Sequence, residues 1–270
     1  MRRTAIAALC LITATALGAT GCLSSEGKAD KSSKSGKTSS PSTSGKSKKS
    51  AKSGSDEPFP GLTGGQIANR AVEATTGASS LRVTGDVPDE ASGGTIGLDM
   101  ALNKQNECAG TLSMDGGKAD LIKTGDTIYL RYDEAFLRAQ GEGQDEAETD
   151  AVVDLLAGKW AKTSATGDDA AEMTAFCDLN TLLGGAEDVH SAAERGETTT
   201  VDGTPAITLT EKNGADRYTL YVATEEEPYL LRVDSTSTAD PSTLAFRDYE
   251  KPVPAREPAG EIIDLDDLAA

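Results

Sequence analysis

Thr95-Ile96-Gly97-Leu98-Asp99-Met100-Ala101-Leu102 decides the fold class of this chain. Ile96, Leu98, Met100 and Leu102 fall on every second position, with Gly97, Asp99 and Ala101 between them. A strand sends successive side chains to opposite faces, so the stretch reads as a strand with one buried face. The same period continues on both sides. Leu81 and Val83 precede it; Leu112/Met114, Leu121 and Ile128/Leu130/Tyr132 follow it. Asp115-Gly116-Gly117 and Thr124-Gly125-Asp126 mark tight turns between these runs. The pattern predicts an antiparallel meander of about five strands from Ser80 to Tyr132.

On the N-terminal side the period changes. Ile67, Ala71, Val72, Ala74 and Ala78 recur at three- and four-residue spacings, which predicts an amphipathic helix from Thr63 to Thr76, stopped by Gly77. Beyond the meander, Asp133 to Gly185 is helical again. Asp133 is the expected N-cap of Ala135 to Gln140. Ala147, Ala151, Val152, Leu155 and Leu156 form the expected buried stripe of the next helix. Trp160, the only tryptophan, sits in a short extended piece. Asp168 or Asp169 is placed to cap a helix over Ala170 to Phe176, and Asp178 to start one through Leu183. Strands return near Val189, with turns at Asp202-Gly203, Lys212-Asn213-Gly214 and Glu226-Glu227-Pro228, and a last strand over Thr243 to Tyr249. The acidic, Pro-containing tail 252–270 is expected to be poorly ordered despite Ile262, Ile263 and Leu265. Aromatic residues are only 4 % of the chain, so the core must be aliphatic.

Before the folded part come an export signal and a spacer. Arg2 and Arg3 precede an apolar run from Ala5 to Leu17, which is too short to span a bilayer. Leu17-Gly18-Ala19-Thr20-Gly21-Cys22 resembles a bacterial lipobox, with Ala19 where Leu is commoner. That resemblance implies cleavage after residue 21 and a lipid anchor on Cys22. Ala19-Thr20-Gly21 also suits ordinary signal peptidase, which would release the protein. Residues 22–57 are rich in Lys and Ser and almost free of apolar side chains, a composition that stays disordered. They carry eight Lys against four acids, whereas the chain from Pro58 carries 16 Lys and Arg against 40 Asp and Glu. The spacer is either a solvated linker or a segment attracted to anionic headgroups and wall polymer. The acidic domain, residues 58–251, excludes nucleic acid, because nothing in it forms a basic patch to displace counterions.

Cys108 and Cys177 are the cysteines of the domain. Outside the cytoplasm two such residues pair most often, which predicts a disulfide stapling the helical segment to the sheet. They form no Cys-x-x-Cys, and His190, the only histidine, is too little to complete a zinc site or to imply a triad. No Gly-x-Ser-x-Gly, dinucleotide fingerprint or phosphate loop is present, so nothing requires an enzyme, a metal or a cofactor.

Four stretches carry a family resemblance: "IANRAVEATTGASSLRVTGDV" from Ile67, "DTIYLRYDEAF" from Asp126, "GKWAKT" from Gly158, and "VDGTPAITLTEKNGADRYTLYVATEEEPYLLRVD" from Val201. With helix, meander, helical insert and second meander behind a lipobox, the chain resembles the LppX/LprG-type envelope lipoproteins, which share the fold of the LolA carriers. The resemblance covers about Leu62 to Tyr249 and implies an α+β half-barrel: a strongly curved antiparallel sheet of about 10–11 strands wrapping around several helices. It further implies an anchored protein on the extracytoplasmic face that binds or transfers a lipid or glycolipid between sheet and helices. The lining expected on that basis is Leu98, Met100, Leu112, Met114, Ile128, Leu130, Ile207, Leu209, Leu220, Val222, Leu231 and Val233. A filled core would need the same residues, and the chain would then be an interaction or sensor domain whose acidic surface meets a basic envelope protein.

Overall fold

The computed structural model describes residues 57–268 except 90–93, 115, 167–169, 171–172, 184–191, 214–215 and 237–240. Cys22, the spacer up to Asp56, the capping residues Asp168 and Asp169, and His190 lie outside the described residues.

The alternating stretches form one sheet. The first meander supplies β1 (Ser80–Asp89), β2 (Gly94–Asn103), β3 (Cys108–Met114), β4 (Gly117–Thr124), β5 (Thr127–Tyr132) and β6 (Trp160–Ser164). The second supplies β7 (Glu194–Val201), β8 (Thr204–Asn213), β9 (Asp216–Ala223), β10 (Leu230–Thr236) and β11 (Pro241–Arg247). A twelfth strand, β12 (Ile262–Asp264), comes from the tail. The order is β12-β6-β5-β4-β3-β2-β1-β11-β10-β9-β8-β7. Every neighbouring pair is antiparallel except β12 with β6. The sheet is open and curved, an α+β half-barrel of 12 strands where the resemblance implied about 10–11.

β1 fuses the two meanders by pairing with β2 on one side and β11 on the other. Gly85 permits this. Its φ is +148°, and a Cβ there would collide with the Thr243 carbonyl. Residues paired across an antiparallel ladder point to one face, so the register defines rows. Phe246, Val83, Met100, Gly110, Leu121, Leu130 and Ala161 form one concave row. The opposite face alternates charges instead: Arg82 bonds Asp99 at 2.5 Å, and Arg131 bonds Asp120 at 2.6 Å.

Helix α1 (Gly64–Gly77) covers β7 to β10 on the concave face. Thr63 caps it, accepting from the Gln66 N–H at 3.2 Å while the Gln66 side chain accepts from the Thr63 N–H at 3.0 Å. Its buried side is Ile67, Ala68, Ala71, Val72 and Thr75, mostly small residues that let the helix lie close. A Cβ on Gly64 would strike the Ala193 backbone.

Between Leu230 and Arg232 the β10 ladder slips by one residue. Such a bulge removes local ladder partners, and two side chains replace them here. Thr75 Oγ1 accepts from the Leu230 N–H at 2.9 Å, and the Tyr249 hydroxyl donates to the Leu230 carbonyl. The bulge therefore ties α1 to the sheet. Burial pushes the Tyr249 phenol up, so it stays a donor at all ordinary pH.

Two helices follow β5: α2 (Glu134–Gln140), capped by Asp133 as expected, and α3 (Glu146–Leu156), capped by Asp145. The buried stripe of α3 differs from the expected one. Val153 is buried, whereas Val152 and Leu155 are 45 % and 44 % exposed. The reason is that α3 packs on the short helix α2 and not on the sheet, so one contact position suffices.

The tail corrects the expectation of disorder. It belongs to the same compact unit as the sheet. Ser80 Oγ donates to the Lys251 carbonyl at 2.6 Å, and the chain then crosses the convex face to reach β6 at the far edge. Ala101, Ala109 and Tyr129, all on that face, are 9 % exposed or less, and Glu257 lies close enough to Tyr129 to help hold its phenol up after burial. Aliphatic Ile262 and Ile263, discounted in the sequence reading, form the strand. No periodicity could show which edge they would reach. The last element is α5 (Leu265–Leu268), numbered after α4 below.

Candidate functional site: the concave apolar trough

The concave face holds apolar side chains in three consecutive rows. The deepest row holds Leu81, Leu102, Cys108 and Ile128, interrupted between the last two by Lys123, whose ammonium donates to the Asn106 and Gly125 carbonyls. The middle row runs from Phe246 to Ala161. The third is Val233, Leu244, Gly85, Leu98, Leu112, Ala119 and Tyr132. Burial falls off along this sequence. The apolar members of the first two rows are almost wholly buried, but Val233, Leu244, Leu112 and Tyr132 are only half-buried. Leu98 and Ala119 between them, and Leu220 and Leu209 beyond Val233, are buried, so those four half-buried positions are the rim, where apolar surface meets solvent. Tyr132 stacks on Phe136 of α2, ring centroids 5.2 Å apart, and burial pushes its phenol up.

The cover over the β1–β5 half is built differently from α1. Among the described residues it comprises Ala170, Met173 and Thr174, all helical, then a 3₁₀ turn (Ala175–Cys177) and the short helix α4 (Leu179–Leu182), capped by Asp178, which accepts from the Asn180 and Thr181 N–H groups. Met173, Phe176, Leu179, Leu182 and Leu183 pack on the core while staying partly exposed. The predicted Cys108–Cys177 disulfide is present, with Cα atoms 5.3 Å apart and both residues buried. It fixes the cover to the deepest row.

The expected lining residues divide into three groups. Leu98, Met100, Ile128, Leu130, Ile207, Leu209, Leu220 and Val222 share the concave face and are 4 % exposed or less. Leu112, Met114 and Val233 share that face toward the half-buried rim. Leu231 is displaced: the bulge gives its core place to Leu230, which is 1 % exposed. Sequence reasoning could not separate two adjacent leucines, since only the register slip distinguishes them. It placed Met173, Phe176 and Leu179 in expected short helices without naming them as lining.

Two hollows lie elsewhere. One of about 110 Å³ sits under α4, between Leu81, Leu102, Asn103 and Leu179. Another of about 450 Å³ is on the convex face, lined by Asp86, Asp99, Thr111, Ser113 and Lys118, and is polar. Among the described residues no group of three or more His, Cys, Asp or Glu gathers to hold a metal, and no helix is long and apolar enough to cross a membrane.

No protein-family model matches this chain, and no curated protein sequence does. Solved structures do. That of LprF from Mycobacterium bovis aligns with a TM-score of 0.48 at 14 % identity, covering 75 % of this chain and 99 % of LprF. That of lipoprotein LppX from Mycobacterium tuberculosis aligns with a TM-score of 0.46 at 15 % identity, covering 70 % of this chain and 97 % of LppX.

Proposed function

We propose that this chain is a membrane-anchored extracytoplasmic protein that binds a lipid or glycolipid in the concave trough. One observation carries the reading. The apolar rows continue past the buried core to a half-buried rim, beneath a cover of short pieces fixed at one disulfide. Acyl chains need such a surface and no covalent chemistry. Cys22 supplies the anchor. Two or three acyl chains hold a protein at a membrane far more firmly than one, at about 0.8 kcal/mol per buried CH₂. The basic spacer lets the domain reach the surface from which it loads.

The test is native mass spectrometry of the exported protein followed by solvent extraction. A stoichiometric lipid adduct is expected, reduced in Leu112→Asp and Val233→Asp, which charge the rim. An apo mass that takes up no lipid from vesicles contradicts the reading. It would favour a second one, which rests on α3. There, exposed Val152 and Leu155 stand among Glu148, Asp150 and Asp154, a surface suited to a basic amphipathic partner.

A further inference from the structure

The two edges of the sheet end differently. β6, on one side, is closed by β12. β7, on the other, pairs with β8 and, among the described residues, with no other strand. A bulge interrupts its first half. Gly196 and Glu197 stand opposite Thr208 alone, whose Oγ1 donates to the Glu197 carbonyl at 3.0 Å. The ladder then runs regularly from Thr198 to Val201. That run is β-branched throughout and holds no Pro and no Lys, the residues that commonly blunt an edge.

The turn after β7 fixes which backbone groups face outward. Asp202 and Gly203 have φ of +49° and +87°, the type I′ pattern, in which the flanking pair, Val201 with Thr204, is hydrogen-bonded. Alternation makes Thr199 with Ala206 the next bonded pair. The N–H and C=O of Thr198 and Thr200 then point away from β8. Pro205, opposite Thr200, agrees with this: it has no N–H, and its carbonyl accepts from the Thr224 N–H, on the β9 side, at 3.1 Å. Thr198, Thr199 and Thr200 are all exposed. The charges beside this edge are of one sign. Arg195, the cation of β7, is occupied by the carbonyls of Pro58, Phe59 and Leu62 and by the Glu57 carboxylate. Glu194, Glu197 and Asp202 are exposed and, among the described residues, in no ion pair.

We propose that β7 is a docking edge that takes an extended, basic peptide segment of a partner protein as a further strand. The backbone groups of Thr198 and Thr200 supply the ladder. Lys or Arg side chains of the added strand meet Glu194, Glu197 and Asp202, which sets the choice of partner. A second copy of this chain fits less well. Added antiparallel about Thr199, the register that matches the outward groups, it would bring Glu197 of each copy close to Asp202 of the other. The chain from Pro58 also carries 16 Lys and Arg against 40 Asp and Glu, so two copies repel. The docking edge does not depend on the lipid reading, since it uses the rim of the sheet and not the trough.

The test titrates the full chain with an end-capped peptide, Lys-Thr-Val-Lys-Val-Thr-Lys, and follows amide-resolved hydrogen exchange. The amides of Thr198 and Thr200 are expected to exchange freely in the dilute chain and to become protected with the peptide. Thr200→Pro removes an outward N–H that the ladder to β8 does not use. It should weaken binding by about tenfold while exchange in β8 and β9 stays unchanged. Glu197→Lys keeps the backbone and should weaken binding by about threefold at low salt, less at high salt. The docking edge is overturned if Thr198 and Thr200 are already protected in the dilute chain, or if the peptide leaves their exchange unchanged. It is equally overturned if both variants bind as the unmodified chain does. A peptide N-methylated through its central residues that binds as well would show charge attraction without strand pairing, and would overturn it too. A dimer in sedimentation that Thr200→Pro abolishes would make a second copy the occupant and overturn the choice of a basic partner.

Discussion

The two halves of the sheet have the same apolar concave face but different covers. Over β7 to β10 lies α1, a continuous helix with both ends of its capping box made and a buried side of small residues. It is tied to the β10 bulge through Thr75. Over the other half lie, among the described residues, the helical residues Ala170, Met173 and Thr174, a 3₁₀ turn and a four-residue helix, whose larger apolar residues stay partly exposed. A disulfide ties that cover to β3. A helix that fits closely commits the surface beneath it to the core. The four-residue α4 is below the length at which a helix sustains itself, so the covalent link supplements packing there. On the proposed reading, the surface beneath is the one a lipid would use.

Breaking the staple gives the largest expected effect. Cys108 and Cys177 are 69 residues apart, and the chain-entropy model assigns such a loop about 4 kcal/mol. Cys108→Ser with Cys177→Ser should lower stability by that order in chemical denaturation. It should also deprotect residues 170–183 well before β8 and β9. Simultaneous loss in both halves would mean that the covers are not independent.

The core side of the bulge comes next. Leu230→Ala is expected to cost about 3 kcal/mol, as for a buried leucine, and Leu231→Ala under about 1 kcal/mol. The reverse ranking in urea melts would place the register slip elsewhere. Smaller again are Thr75→Val and Tyr249→Phe. Each leaves one backbone group of Leu230 without its partner, at about 1–2 kcal/mol, and each should loosen α1 without touching the stapled cover.

The smallest effect is on pH. The Lys162 hydrogen bond holds the Asp264 carboxyl below the usual carboxylate range, helped by the Asp266 and Asp267 N–H groups. A depressed folded pKa contributes stability above the unfolded value, about 4, and loses it as pH falls through the folded value. Exchange at residues 262–266, corrected for intrinsic rates, should therefore be flat from about pH 5 to 8 and rise only in stronger acid. A rise near neutrality would show that other groups hold β12 on β6.

The sheet was legible because its period is two over long stretches. Ile96 to Leu102, Ile207/Leu209 and Leu220/Val222 all face the core as their alternation demands. α1 was legible from its spacing, whereas its Thr63 cap was seen only in the structure. What escaped depends on partners distant in sequence. Val153 is buried because α3 meets α2. Leu230 displaces Leu231 because a bulge shifts one ladder. Ile262 and Ile263 find β6 only because the tail can cross the convex face. Pattern reports which side chains want burial, not what arrives to bury them. The trough was half-legible for the same reason: its wall is periodic, and its cover is not.

The central claim is that the β1–β5 half, beneath the stapled cover, takes the lipid. Peptide-resolved hydrogen exchange of the lipid-loaded and the stripped protein tests it most directly. The account predicts added protection in residues 96–132 and 170–183, with little change in α1, β8 and β9. Identical exchange in the two states, or protection confined to α1 and the strands beneath it, would contradict it.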